Sequence, residues 1–208
     1  MRALSKPNYN LTHEFDYALL KDMLKAYKNP RVKINQLLKT KKITRVKKGL
    51  YTQTDGNFSP FVLANMMYGP SYVSSDTALG YYSLIPERVH TVTSVTTGRN
   101  KHFDTPAGNF TFEHVPVHLY EPGIKRVELE DQRAFLMASP EKALIDRLWR
   151  EKSLDTSQKM SDYLEFDMRF DFIGSTRINQ TKLRILAKIY DSAVIWTLCD
   201  VFKKRMHR

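Results

Sequence analysis

The chain has 208 residues, a formal net charge of +11, ordinary hydrophobic (42%) and charged (26%) fractions, and a single cysteine. This length suffices for one full domain and a smaller one. The apolar runs are too short to cross a bilayer, the first ten residues have no apolar stretch typical of a signal peptide, and Cys199 cannot form an internal disulfide. We therefore expect a soluble, cytoplasmic protein without a membrane partner.

The positive charge is concentrated in one segment. Ten lysines and arginines and no acidic residue lie between Met23 and Thr54, whereas residues 1–22 carry three of each sign and residues 55–208 carry 20 basic and 19 acidic groups. A solvated helix face usually interleaves Glu with Lys, and here Glu is missing. Charge confined to one segment favours a polyphosphate partner, since neutralised phosphates release condensed counterions. The segment therefore predicts nucleic-acid binding.

The same segment has the pattern of a winged helix-turn-helix. Apolar spacing predicts a helix from about His13 to Tyr27, with Thr12 as a plausible N-cap, and Asn29-Pro30 starts a second helix over Arg31–Thr40. Alternating residues predict short strands at Ile43–Val46 and Leu50–Gln53, joined by a turn in which Gly49 supplies a positive φ. Residues 1–58 are therefore predicted to form a DNA-binding domain, with the second helix in the major groove and the hairpin along the backbone.

Eight side chains are candidates for contact with double-stranded DNA. They are Arg31, Lys33, Asn35, Gln36 and Lys39 on the second helix, and Arg45, Lys47 and Lys48 on the hairpin. The cations are suited to phosphates, whereas Asn35 and Gln36 can read adenine edges. Plain solvent exposure of these two amides stays open as the alternative.

Residues 59–208 are predicted to form a second domain, after the turn formers at 55–60. The predicted class is α+β, with a mainly antiparallel sheet flanked by helices. Its predicted helices are Phe61–Tyr68, Thr77–Leu84, one that begins at Pro140 with Ser139 as its cap, Asn179–Tyr190 and Ala193–Arg205. Its predicted strands are Tyr72–Ser74, Val89–Thr97, a hairpin of Arg99–Thr105 with Phe110–Val115, and Ala134–Ala138.

Two patterns resemble enzyme or metal chemistry, but each has a simpler interpretation. Ser139-x-x-Lys142 has the spacing of serine acyl-enzymes, yet a helix start explains the Ser, the Pro and the Glu together. The set His102, Glu113, His114 and His118 is a weak metal candidate, because strand alternation and Pro116 separate these side chains. We expect no enzyme activity, no metal site and no cofactor. A nucleic-acid enzyme that binds metal through acidic residues of the second domain remains a rival hypothesis.

Five segments, in their order and spacing, resemble the AbiEi-type antitoxins of bacterial type IV toxin–antitoxin and abortive-infection systems. They are Ile43–Tyr51, Tyr68–Leu79, Tyr81–Arg88, Val92–Thr97 and Ala138–Asp146, and the resemblance covers roughly residues 12–150. It implies a DNA-binding N-terminal domain that represses its own operon at inverted repeats. It also implies a C-terminal domain that counteracts a nucleotidyltransferase-like toxin without a stable complex. One departure is that only two helices precede the hairpin, where winged domains commonly have three.

The second domain contains most of the segments that carry the resemblance, which implies that residues 60–208 neutralise the toxin. Because this domain is nearly neutral and has no convincing catalytic constellation, we expect it to do so without turnover chemistry. The antitoxicity surface is predicted around Tyr81, Tyr82, Glu87 and Arg88, where aromatic and charged groups crowd the loop after a short helix. Packing within the domain and a local Glu–Arg pair are the alternative. The alternative function is a winged-helix transcriptional regulator whose second domain senses a ligand or dimerises, with no toxin partner.

Overall fold

The computed structural model of the protein describes residues 13–54, 57–86, 90–172 and 178–205. Its elements form two groups, each with its own β-sheet. We call residues 13–54 the N-terminal unit and residues 57–205 the sheet domain. Within the described ranges, no helix combines the length and the apolar composition needed to cross a membrane.

The N-terminal unit is a three-stranded antiparallel sheet with two helices. Its elements in chain order are β1 (Glu14–Asp16), α1 (Tyr17–Met23), α2 (Pro30–Lys39), β2 (Ile43–Lys47) and β3 (Leu50–Gln53). The strand order is β1-β3-β2, so the first strand pairs with the last. A small apolar cluster lies between the sheet and the helices, and its buried members are Phe15, Leu20, Leu24, Ile34, Ile43 and Tyr51.

The first helix is shorter than predicted. Residues 14–16 form β1 instead, because they pair with β3 and the Phe15 ring stacks on Tyr51 at 6.3 Å. Helix α1 therefore begins after Asp16, whose side chain accepts a hydrogen bond from Leu19 N at 2.7 Å, as a capping residue does. The predicted cap, Thr12, lies outside the described residues.

Helix α2 and the hairpin agree with the sequence prediction. The Asn29 side chain caps α2 and Pro30 occupies its first turn. Gly49 has φ +85° in the turn between β2 and β3, the conformation that favours glycine. The local signals at these positions were sufficient to place both elements.

The sheet domain contains a mixed six-stranded sheet. Its strands are β4 (Ser71–Val73), β5 (Thr91–Thr96), β6 (Lys101–Thr105), β7 (Gly108–His114), β8 (Ile124–Glu128) and β9 (Ala134–Ala138). The order is β6-β7-β5-β4-β9-β8. Pairs β6–β7, β4–β5 and β8–β9 are antiparallel, whereas β5–β7 and β4–β9 are parallel. Antiparallel pairing therefore predominates only slightly.

Helices pack against this sheet, which confirms the predicted mixed α+β class. They are α3 (Pro60–Met67), α4 (Ser75–Tyr81), α5 (Val117–Tyr120), α6 (Pro140–Leu148), α7 (Ser157–Asp162), α8 (Gln180–Tyr190) and α9 (Ala193–Arg205). A π-helical turn at Tyr163–Asp167 follows α7. Helix α6 packs against α4, and α8 packs against α9.

The N-terminal unit is docked on the sheet domain. Val46 and Leu50, from β2 and β3, are buried in the larger hydrophobic cluster of the sheet domain rather than in the small one. The carboxylate of Glu14 accepts hydrogen bonds from Arg133 and from the backbone N–H of Ser59. Apolar packing and a partly buried ion pair therefore hold the two groups of elements together.

Candidate nucleic-acid interface

One face of α2 is exposed and free of acidic residues. Val32, Asn35, Gln36 and Lys39 lie at positions i, i+3, i+4 and i+7, so they share that face, and all four are exposed. The face points outward because Ile34 is buried in the small cluster on the opposite side. The two amides and the cation can contact base edges, and the apolar side chain can contact a thymine methyl group.

Val32 was not among the predicted site residues, although 61% of it is exposed. An apolar residue in a helix is usually assigned to the core, which is why composition alone did not single it out. Its spacing from Asn35 and Gln36 was the available signal, because residues three and four apart lie side by side on a helix.

Arg31 and Lys33 begin the same helix in different environments. Arg31 is exposed, whereas Lys33 is half-buried with its ammonium group 5.0 Å from the centre of the Tyr27 ring. The Lys33 ammonium also donates a hydrogen bond to Gln36 Oε1 at 3.1 Å. Lys33 therefore helps to orient the Gln36 amide, and Arg31 remains available for a phosphate.

The three predicted cations of the hairpin differ in their exposure to solvent. Arg45 and Lys48 are exposed, while Lys47 is half-buried and turned toward the sheet domain. Lys47 Nζ donates to the carbonyl oxygen of Met67 and lies 5.7 Å from the centre of the Phe103 ring. The strand register shifts between Arg45 and Lys47, which changes the direction of the second side chain.

The environment of Lys47 also changes its electrostatics. Burial lowers the pKa of Lys47, and the positive charge of Lys101 lowers it further. A lysine that packs against the sheet domain contributes less to a phosphate contact than an exposed one. The structure therefore divides the predicted hairpin contacts into two exposed cations, Arg45 and Lys48, and one docked cation, Lys47.

Further exposed cations extend this surface. Lys28, Lys41 and Lys42 flank α2 and the start of β2, and all three are exposed. Among the residues that the structure describes, the cations of residues 23–54 form one salt bridge, from Lys25 Nζ to Asp22 Oδ1 at 3.1 Å. The N-terminal unit therefore presents positive charge that acidic neighbours neutralise very little, which is the electrostatic requirement for a phosphate-binding surface.

The predicted antitoxicity residues lie in two environments. Tyr81 is 46% exposed and makes edge-on contacts with the rings of Phe61, Tyr82 and Phe135. Tyr82 is half-buried, its hydroxyl donates to Ala138 O at 3.0 Å, and burial together with Tyr81 and Glu141 raises its pKa to about 12. Glu87 and Arg88 lie outside the described residues. Among the described residues of this predicted surface, Tyr81 is the one with a side chain exposed enough to contact a partner protein.

The Ser139-x-x-Lys142 pattern is part of a buried hydrogen-bond network. Ser139 Oγ accepts from Lys142 N as the cap of α6 and donates to Glu141 Oε2 at 2.8 Å. The Lys142 ammonium lies 3.0 Å from Asp146 Oδ1 and donates to the carbonyl oxygen of Leu119. Burial lowers the pKa of Lys142, and Asp146 acts in the opposite direction. The serine and lysine thus have separate structural partners.

The histidine candidates are also engaged in local contacts. His102 Nδ1 lies 3.1 Å from Thr111 Oγ1, and His114 Nδ1 lies 2.9 Å from the carbonyl oxygen of Gly98. In the described part of the chain, no group of three or more His, Cys, Asp or Glu side chains is placed to hold a metal ion.

Comparison with known proteins adds no further assignment. No protein-family model matches the chain, and no curated protein matches it either.

Proposed function

We propose that the protein is an autorepressing antitoxin of the AbiEi type. In this proposal the N-terminal unit binds inverted-repeat operator DNA, and the sheet domain counteracts a nucleotidyltransferase-like toxin. Two observations support it: the five segments that resemble this family, and the position of the positive charge on the N-terminal unit.

The topology of the N-terminal unit is compatible with a winged helix-turn-helix. The order β1-α1-α2-β2-β3, with β1 beside β3, gives two helices followed by a hairpin. Helix α2 would enter the major groove, and the hairpin from β2 to β3 would be the wing along the sugar–phosphate backbone.

The observation that carries the proposal is the exposed face of α2. Asn35 and Gln36 lie on it between Val32 and Lys39, and residues 23–54 contain no acidic group that would repel a phosphate. Cations beside amides fit the division of labour in DNA recognition, in which phosphate contacts position the protein and base contacts specify the sequence.

The test of DNA binding is a salt titration of the full chain on the DNA upstream of its own gene. If five to seven cations meet phosphates, the logarithm of affinity should fall against the logarithm of salt concentration with a slope of about −5 to −6. A scrambled duplex of equal composition is the control for sequence preference. A slope near zero, or equal affinity for both duplexes, would refute operator binding.

The antitoxin part requires an experiment that separates rescue from repression. Cells that express the toxin from the adjacent gene are complemented with the full chain, with the triple variant Arg31→Ala/Arg45→Ala/Lys48→Ala, or with Tyr81→Ala. We expect the triple variant to lose repression and keep rescue, because the exposed cations serve DNA. Tyr81→Ala should keep repression and weaken rescue. Loss of rescue in the triple variant would mean that antitoxicity acts wholly through repression.

A regulator without a toxin partner is the second candidate, and one feature favours it. A concavity of about 330 Å³ in the sheet domain is lined mainly by apolar side chains, with two lysines at its edge. Its lining includes Pro122, Ile124, Lys125, Lys182, Leu186 and Ile189. Two results together would favour this alternative. A small ligand would bind in this concavity and change the affinity for operator DNA, and expression of the adjacent gene would not impair cell growth.

A further inference from the structure

The last two helices differ in charge from the rest of the sheet domain. Residues 178–205 contain six lysines and arginines and two aspartates, whereas residues 57–172 contain 12 basic and 16 acidic residues. The near-neutral total of the domain therefore combines a basic helical hairpin, α8–α9, with a mildly acidic remainder. A local excess of one charge attracts partners of the opposite sign.

The cations of α8 also have no acidic partner among the described residues. Lys182, Arg184 and Lys188 are exposed, and none of them forms a salt bridge with a residue in the described ranges. By contrast, Arg147 pairs with Asp76 and Glu151, and Arg205 pairs with Glu165. The charge on α8 is thus available to a partner, while other cations of this domain stabilise the fold.

A groove of about 440 Å³ lies between α8 and α9. Its lining includes Arg184, Ile185, Lys188, Trp196, Cys199 and Asp200. Ile185 is 54% exposed and Trp196 is 39% exposed, although both are large apolar side chains. Ile185 is exposed because α8 buries the opposite face, where Leu183, Leu186, Ala187 and Tyr190 are buried. The groove therefore has apolar walls with two cations of one helical face, at i and i+4, along its edge.

We propose that this groove binds an acidic amphipathic helix of a partner protein. Apolar anchors of such a helix would cover Ile185 and Trp196, and its carboxylates would pair with Arg184 and Lys188. Helix-in-groove recognition uses this combination of apolar anchors at helical spacing and a complementary charged rim. The charge complementarity favours an acidic partner, because a basic helix would be repelled by Arg184 and Lys188 at the edge of the groove.

A nucleic acid fits the same surface less well. The exposed centre of the groove is the aliphatic side chain of Ile185, which suits an apolar anchor and offers no hydrogen bond to a phosphate or a base. Trp196 is the one described groove side chain on which a base could stack. The inference goes beyond operator binding, since it involves α8 and α9 and none of the cations of the N-terminal unit.

The test uses the full chain and a fluorescein-labelled helical peptide as the probe. The peptide has leucines at i, i+3, i+4 and i+7 and glutamates on its remaining face, and a matched peptide has lysine at each glutamate position. We expect the acidic peptide to bind at least about tenfold more tightly than the basic one, measured by anisotropy. Its binding should also change the fluorescence of Trp196, and Trp196→Phe should remove that change while Trp149 still emits.

Variants of the groove localise the binding. Arg184→Glu/Lys188→Glu should weaken the acidic peptide by about tenfold or more, and Ile185→Asp should abolish its binding. Lys203→Glu/Lys204→Glu is the matched control, because it makes the same charge change at exposed positions of α9 that do not line the groove. Urea unfolding of each variant reports whether it is folded, and Ile185→Ala replaces Ile185→Asp if the latter unfolds.

Three results would overturn the proposal. The first is that neither peptide binds the full chain. The second is an equal loss in the groove variant and in the Lys203/Lys204 control, which would indicate general charge attraction. The third is that a single-stranded oligonucleotide binds more tightly than the acidic peptide and loses affinity in Arg184→Glu/Lys188→Glu, which would make the surface a nucleic-acid site.

Discussion

Glu14 and Arg133 are far apart in the sequence, yet Arg133 Nη1 lies 2.6 Å from both carboxylate oxygens of Glu14. The Glu14 side chain is 1% exposed and that of Arg133 is 21% exposed. Arg133 also contacts Asp131 at 2.6 Å, so one guanidinium joins the first strand of the N-terminal unit to the loop before β9. This ion pair and the apolar contacts of Val46 and Leu50 help to hold the N-terminal unit on the sheet domain.

Arg133→Ala should lower the free energy of unfolding by about 2–4 kcal/mol, because it removes the guanidinium that pairs with the buried Glu14 carboxylate. Urea unfolding at neutral pH measures the loss. Arg126→Ala is the matched control, since the Arg126–Glu128 pair is exposed on both sides and should contribute at most about 1 kcal/mol. Equal and small effects of the two substitutions would contradict a stabilising role for the Glu14–Arg133 pair.

Lys47 and Lys48 should respond differently to substitution, although they are adjacent. Lys48→Ala should flatten the salt slope of DNA binding by about one unit and leave stability unchanged, since its side chain is exposed. Lys47→Ala should cost about 1 kcal/mol of stability, because it removes the hydrogen bond to Met67 O and the contact with Phe103. Salt titrations combined with urea unfolding check both effects. An equal flattening of the slope by the two variants would show that Lys47 reaches the phosphates.

Asn35→Ala and Gln36→Ala should each cost roughly 1–3 kcal/mol of binding at the preferred operator if they read bases, and much less on a scrambled duplex. Lys39→Ala, on the same helical face, should weaken binding to both duplexes alike, because a phosphate contact does not depend on sequence. Quantitative electrophoretic shifts on the two duplexes give the comparison. If the amide variants lose the same affinity on both duplexes, Asn35 and Gln36 are solvent-exposed residues that do not read bases.

Val32→Ser should reduce operator preference without a change in the salt slope, because it removes an exposed apolar group and no charge. Because the residue is exposed, the stability of the variant should stay within about 0.5 kcal/mol of the wild type. The same two-duplex assay measures the preference. An unchanged preference would exclude Val32 from base contact.

Stability should fall as pH rises above about 10, the ordinary pKa of tyrosine. Burial raises the pKa of Tyr72 and of Tyr190, with Asp146 adding to both, and burial raises that of Tyr82 to about 12. In this range the unfolded chain has lost tyrosine protons that the folded chain keeps, so the unfolded state binds fewer protons and is favoured by rising pH. Lys142 acts in the opposite sense, since its lowered pKa adds stability with rising pH, and that gain is complete near the ordinary lysine value of about 10.4.

Tyr72→Phe should therefore flatten the alkaline loss by up to about 1.4 kcal/mol per pH unit, because one proton difference is removed. Urea unfolding at several alkaline pH values measures the slope. Tyr17→Phe is the control, as its ring is exposed on α1. If Tyr72→Phe and Tyr17→Phe give the same slope, the buried tyrosine does not set the alkaline limit.

Elements with strong local signals were predictable from the sequence. The Asn29-Pro30 and Ser139-Pro140 pairs marked helix starts that the structure confirms, and the predicted strand Ala134–Ala138 has the same bounds in the fold. These signals work because capping and the fixed φ of proline act within a few residues of the chain. The acid-free segment from Met23 to Thr54 is likewise a property of the sequence, and it carries the DNA-binding hypothesis.

Elements that depend on distant partners were not predictable. Strand β1 is three residues long and exists through its pairing with β3, and the edge strand β8 is Ile-Lys-Arg-Val-Glu, which has no apolar alternation. Neither segment has a strong preference of its own, so long-range hydrogen bonds determine its conformation.

The direction of individual side chains depends on the assembled fold as well. The sequence places Lys47 and Lys48 together in one basic turn, whereas the register shift in β2 and the docked sheet domain leave only Lys48 exposed. In the same way, Lys142 and Asp146 are one helical turn apart in a charged stretch, yet packing buries both. Composition and periodicity report charge and local conformation, while burial depends on which distant surfaces meet, because contacts between residues remote in sequence have no local signal.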